Sequence, residues 1–568
     1  MNGIAALILL VLLALGFAAL AADNRHIPRA GRAGRSVVMA PNGMVATSHP
    51  LAAQVGLDIL RQGGNAVDAA IAANAAIGLM EPMSCGIGGD LFAIVWEARA
   101  QKLYGLNASG RSPYTATRDL FRERGLEEIP LHGPLSWSVP GCVDGWDALR
   151  ERFGTMPFAR LLEPSIRYAE DGFPVPEVIA GYWKSAERLL SADPESAAVF
   201  LPGGRAPAKG EVFRNPALAR SYRDIAQEGR DAFYRGRIAR ELAAYSHRVG
   251  GLLALKDLED HRSEWVEPVS TNYRGYDVWE LPPNGQGIAA LQMLNLLEPY
   301  DLGRMGPESA DYWHLLVEAK KLAFADRARY YADMAMARVP VKELISKDYA
   351  EQRRKHMDLR RAAQVVEPGD PRLSRGDTIY LCVVDKDRNC VSLIQSNYHG
   401  FGSGLAPRSL GFALQNRGNL FALDPAHPNT LEPHKRPFHT IIPALVTRQG
   451  RPWLVFGVMG GDMQPQGHVQ VLVNLIDFGM DVQRAAEAPR VEHLDSATPT
   501  GLPAKGSGRV VAEAGIPDSV VAELKRRGHT VLRTRTNGGG CQAILIDPAT
   551  NMLHGASEPR KDGAAVGW

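Results

Sequence analysis

Hydrophobic and polar positions follow two different periods along this chain. Residues 52–62 carry apolar side chains at helical spacing and stop at Gly63-Gly64, a helix-end signal. Asn65 can cap a second helix over 66–79. That stretch is rich in alanine and apolar on most faces, so it belongs inside the protein. Glu81-Pro82 ends it, because proline disfavours helical geometry in the residue before it. Gly86-Ile87-Gly88-Gly89-Asp90 then leads into a strand pattern over 91–96. Residues 140–350 read mainly as helix, including a long mixed-charge helix over 319–331, with one interruption at 273–279 that reads as a strand. From Thr378 the period changes. Residues 379–384 and 390–395 are β-rich runs joined by Asp385-Lys386-Asp387-Arg388-Asn389, a hairpin signal. Further strands are expected at 454–458 and 542–547, and a helix at 469–478. A helix-rich half therefore meets a strand-rich half near residue 378.

Composition narrows the function more by exclusion than by suggestion. Lys+Arg 64 against Asp+Glu 62 leaves no basic excess of the kind nucleic acid requires. The five cysteines include no C-x-x-C, which argues against a disulfide framework or a zinc site. Cys382 and Cys390 flank the expected turn, where they could pair or stand as two core thiols. The glycines at 86–89 follow a helix and precede a strand, the reverse of a phosphate loop. H-E-x-x-H, G-x-S-x-G and Walker A patterns are absent, and His434, His439 and His468 fit no metal spacing. Nothing in these patterns implies a cofactor or metal. Residues 4–22 are apolar and end in Ala19-Leu20-Ala21, as a signal peptide or membrane anchor would. The charge order is unusual, since arginines 25, 29, 32 and 35 follow the run and none precedes it. The expectation is a leader or anchor over 1–22, a linker over 23–37, and a periplasmic, secreted or membrane-anchored protein. A true start at Met39 or Met44 would instead leave it cytoplasmic.

Short motifs give the chemistry. Gly63-Gly64-Asn65-Ala66-Val67-Asp68-Ala69-Ala70, Gly154-Thr155-Met156-Pro157, Asp171-Gly172-Phe173, Tyr273-Arg274-Gly275-Tyr276, Ala325-Asp326-Arg327, Gly376-Asp377-Thr378, Phe401-Gly402-Ser403-Gly404, Lys435-Arg436-Pro437, Gly460-Gly461 and the closing Gly555-Ala556-Ser557-Glu558-Pro559-Arg560 stand in one order. Any one is weak; the ordered set resembles the γ-glutamyltranspeptidase family over residues 38–568. The resemblance implies an α+β, four-layer αββα N-terminal-nucleophile hydrolase fold, built from both chains of a self-cleaved precursor. The cut falls between Asp377 and Thr378, giving a large chain 38–377 and a small chain 378–568 that stay associated. A threonine hydroxyl is almost wholly protonated near neutral pH, but a terminal threonine carries its own base, an α-amine titrating near pH 8. Ser396 lies where the family has a hydroxyl bonded to the nucleophile, and Gly460-Gly461 where backbone N–H groups face the oxyanion. The reaction implied is γ-glutamyl transfer or glutathione hydrolysis, from a small amide substrate to water or an amine acceptor.

The binding positions depart from the family pattern. Arg111 lies two residues beyond the family's carboxylate-binding arginine. Arg417 and Leu420 occupy a segment where the family has ammonium-binding acids, His439-Thr440 replace paired serines, and Tyr398 replaces an asparagine. Asp462 is a candidate substitute acid. Alternatively the acyl group carries no α-ammonium, and Arg111 and Arg417 suit a carboxylate-ended acyl group, as in cephalosporin (glutaryl) acylases and oxamate amidohydrolase. A non-catalytic binding protein is the reading from another class.

Overall fold

A computed structural model describes residues 34–568, apart from 365, 367–376, 497, 502, 503, 505, 537 and 538. The leader expected over 1–22 lies outside the described residues. Among those described, no helix is long and apolar enough to cross a membrane. Residues Val38–Trp568 form one compact unit.

The strands of its two large sheets are β1 (Val38–Ala40), β2 (Met44–Thr47), β3 (Asp90–Glu97), β4 (Lys102–Ala108), β5 (Glu264–Val266), β6 (Val269–Tyr273), β7 (Tyr276–Glu280), β8 (Asp377–Val384), β9 (Cys390–Tyr398), β10 (Ala444–Arg448), β11 (Arg451–Val458), β12 (Cys541–Ile546), β13 (Leu553–Ser557) and β14 (Ala564–Gly567). One sheet runs β14-β2-β8-β9-β3-β4-β5 and the other β1-β13-β12-β11-β10-β7-β6. Each draws strands from both sides of residue 378. The helix-to-strand change along the chain therefore does not separate two bodies. Of the stretch 273–279, expected as one strand, Tyr276–Trp279 lies in β7 and Tyr273 ends β6, and Arg274-Gly275 is the turn between them. Arg274 (φ 52°) and Gly275 (φ 87°) take the paired left-handed conformation that a two-residue hairpin turn needs.

Side-chain alternation explains the layering. Along β8, Ile379, Leu381 and Val383 join the core that holds helices α1 (Pro50–Arg61) and α2 (Ala66–Met80). Tyr380, Cys382 and Val384 join a second core with Leu445, Val455 and Ile544 of the opposite sheet. Both faces are buried, so β8 reads as a continuous apolar run rather than an alternating one. Cys382 and Cys390 are separate buried thiols. Beyond the second sheet lie α3 (Gly287–Leu297), α4 (Ala310–Tyr330) and α5 (Met463–Ile476), completing helix–sheet–sheet–helix. Asn65 and Asp68 close a capping box at the start of α2, which holds this buried helix in place.

Candidate active site

The same alternation gathers the reactive groups. Thr378 shares the inter-sheet face of Tyr380, Ser396 that of Ile394, and Asp90 that of Phe92. β8, β9 and β3 are neighbours, with Ser396 paired to Asp90. A bulge sets Ser396 and Asn397 of β9 opposite Thr378, and Tyr398 follows at φ 79°. The Thr378 hydroxyl donates to Ser396 Oγ at 3.4 Å. Ser396 Oγ also accepts the Tyr398 N–H at 2.8 Å, which fixes its position. Thr378 is 1% exposed in the uncut chain.

The opposite sheet supplies the second half. Tyr380 packs its ring where a Cβ on Gly457 of β11 would lie, 2.5 Å away. Three residues on, β11 gives way to Gly460 (φ 104°) and Gly461 (φ 57°), and then to α5. Neither glycine N–H donates to an acceptor among the described residues. Unclaimed N–H groups at the start of a 14-residue helix suit a developing negative charge. The loop is braced from behind. Gln286 donates to Thr440 O at 2.7 Å and Gly461 O at 2.9 Å. Arg327, wholly buried, grips both carboxylate oxygens of Asp462 at 2.5 and 3.1 Å. A cleft of about 600 Å³ reaches Gly460 and is lined also by Met83, His132, Tyr182 and His399.

The family model for Gamma-glutamyltranspeptidase matches residues 52–568. The chain belongs to the gamma-glutamyltranspeptidase family. Among curated relatives, the glutathione hydrolase-like YwrD proenzyme of Bacillus subtilis is 39% identical, over 93% of this chain and 99% of that protein. The acylase ACY 1 proenzyme of Pseudomonas sp. (strain V22) is 36% identical, over 92% and 93%. The solved structure of a cephalosporin acylase from Bacillus halodurans superposes with a TM-score of 0.88 at 44% identity, covering 95% of this chain and 99% of that one. The two-sheet layering is the N-terminal-nucleophile hydrolase fold of this family, and the chain is a family hydrolase or acyltransferase.

Within this gamma-glutamyltranspeptidase relative the binding positions stand as follows. Arg417 is wholly buried; its Nη1 donates to Thr440 Oγ1 at 2.7 Å, and its guanidinium lies 4.7 Å from the centre of the Tyr398 ring. His439 bonds the Asp90 carboxylate at 3.0 Å, and burial lowers its pKa to about 4. Leu420 is buried. Asp462 already has Arg327 as counter-ion. Arg111 is tied to Glu264 at 2.6 Å, Asp333 at 3.3 Å and the His434 carbonyl. Asp90, Gln286 and Arg327 were not assigned roles from the sequence. Asp90 closes the G-I-G-G-D motif and Arg327 the A-D-R motif, but Gln286 carries no local signal. Away from this site, His314, Glu318 and His529 cluster, but their ligand atoms are used: His314 bonds His529 and the Asp358 carbonyl, and Glu318 bonds Lys321 and the Ala363 N–H.

Proposed function

We propose that this protein is a self-activating threonine amide hydrolase and acyltransferase that works through an acyl-enzyme. In the first reaction the Thr378 hydroxyl attacks the Asp377 carbonyl, and the backbone shifts from amide to ester. Water opens the ester, leaving a carboxylate on Asp377 and a free α-amine on Thr378. In the second, that amine takes the hydroxyl proton as Oγ1 attacks a substrate amide. Ser396 Oγ orients the hydroxyl, and the Gly460 and Gly461 N–H groups receive the oxyanion. Collapse returns the proton to the departing amine and leaves an ester on Thr378. Water or an amine acceptor then takes the acyl group. The large and small chains stay together because both sheets are woven from both. The observation that carries the reading is one shared inter-sheet face presenting Thr378 and Ser396, with two unclaimed glycine N–H groups three and four residues past Gly457, where β11 of the facing sheet packs on Tyr380 of β8. The test is a denaturing gel with intact mass: two chains for wild type and one uncut chain for Thr378→Ala. An uncut wild-type chain with full amidase activity refutes it.

Hydrolysis or transfer of γ-glutamyl amides, including glutathione, is the family reading. A second reading, an acylase on an acyl group without an α-ammonium, is favoured by Leu420 and by the pairing of Asp462 with Arg327. We also propose export or membrane anchoring through residues 1–22, supported by their apolar run. Terminal sequencing that finds Met1 on a soluble cytoplasmic protein would refute it.

A further inference from the structure

We propose that the Nε/Nη2 edge of Arg417 is a carboxylate receptor, and that the acyl group passed to Thr378 ends in a carboxylate with no ammonium beside it. The inference rests on the threonine-nucleophile reading above and deepens it to a substrate class: monoamides of short dicarboxylic acids.

The guanidinium has three bonding directions. Nη1 is spent on Thr440 Oγ1. Nε and Nη2, both buried, have no acceptor among the described residues. These two N–H groups lie on the same edge of the planar group, the fork that matches both oxygens of a carboxylate. A buried cation with unmade hydrogen bonds is costly, so it is retained where a ligand completes it. Burial lowers the Arg417 pKa to about 10, which still leaves it charged at neutral pH. Asp90 is the nearby acid, but its oxygens serve the Gly110 N–H and His439.

A chain of contacts links Arg417 to the reacting groups. Arg417 stacks on Tyr398, whose N–H holds Ser396 Oγ, which in turn accepts from Thr378. On its other side Thr440 is linked through Gln286 to Gly461. No comparable fork is open on Arg111, whose Nη groups bond Glu264, Asp333 and a carbonyl. An α-ammonium next to the bound carboxylate would meet the Arg417 charge, and the nearby acid Asp90 is already engaged by His439 and the Gly110 N–H.

Three anilides with one leaving group and five-carbon acyl chains test this: glutaryl-, γ-glutamyl- and pentanoyl-p-nitroanilide, turned over by the mature two-chain enzyme. The expected ranking in kcat/KM puts glutaryl about 100-fold above both others, a difference of about 2.8 kcal/mol at 1.4 kcal/mol per tenfold. In Arg417→Met the glutaryl-to-pentanoyl ratio collapses by about the same factor; in Arg417→Lys, which keeps charge but not the fork, it falls part-way. Equal turnover of glutaryl and pentanoyl anilides, preference for γ-glutamyl, or an Arg417→Met loss that strikes both anilides alike overturns the proposal. If Arg417→Met does not fold, the wild-type ranking decides. Failure of the parent reading looks different: no two-chain product, and no acyl mass added at Thr378 by any of the three.

Discussion

Replacing Gly460 by alanine tests the oxyanion assignment most directly. At φ 104° an L residue is strained, and its Cβ would lie 3.0 Å from the Gly539 nitrogen and 3.1 Å from its Cα. Those atoms are backbone, and Gly539 is itself held at φ 89°, so little can yield. A sparsely populated conformation costs about 1–3 kcal/mol, and the loop relieves it by turning the 460 N–H away from the reacting carbonyl. Loss of one oxyanion donor raises the barrier by about 2.7–4 kcal/mol, or roughly 100- to 1,000-fold in kcat. Gly461 provides the control. Its φ of 57° lies in the left-handed region that asparagine tolerates, so Gly461→Asn costs about 1 kcal/mol, roughly fivefold. The assay is the rate of p-nitroaniline release in a single turnover of mature enzyme, with the two-chain pattern verified by mass. A Gly460→Ala enzyme within fivefold of wild type refutes the reasoning, as do equal losses at both positions.

Other expectations follow from the buried charges. Asp462→Asn removes the carboxylate that the wholly buried Arg327 grips and should cost about 3–5 kcal/mol in urea unfolding; adding Arg327→Met should recover part of it, and additive losses count against the pair. His49 accepts the Leu51 N–H at Nδ1, and burial holds its pKa near 4, as it does that of His439. These folded-state values lie below the unfolded 6.5, so the folded protein binds fewer protons. Their contribution is therefore complete above about pH 7 and is lost as pH falls from 6.5 through 4. Thermal midpoints should drop over that window, less steeply in His49→Asn, which keeps a cap without titrating; an unchanged slope refutes the assignment. The Thr378 amine gives kcat/KM an acid limb near pH 8, absent if another base acts.

Much of this protein was legible in the sequence because the signals are local. A capped alanine-rich helix at 66–80, the 377–398 hairpin and the Gly460-Gly461 pair each follow from neighbouring residues. The hairpin at 269–280 was harder. Arg274 occupies a left-handed turn position where glycine or asparagine is the usual sign, so its two short strands merged into one. The change at residue 378 was visible as composition, yet composition could not show that both sheets interleave strands from either side.

The sequence by itself determined the family, the nucleophile candidate and the residues that depart from the family's pattern. Only the tertiary structure decided what those departures mean. Arg111 and Arg417 are equivalent on paper, since each is an arginine near an expected binding segment. Folding gives one of them two carboxylates and a carbonyl, and leaves the other a buried fork with two donors unmatched. The physical reason is that a charged group's role depends on what burial leaves unpaired. That balance is set by residues up to 323 positions apart in the chain.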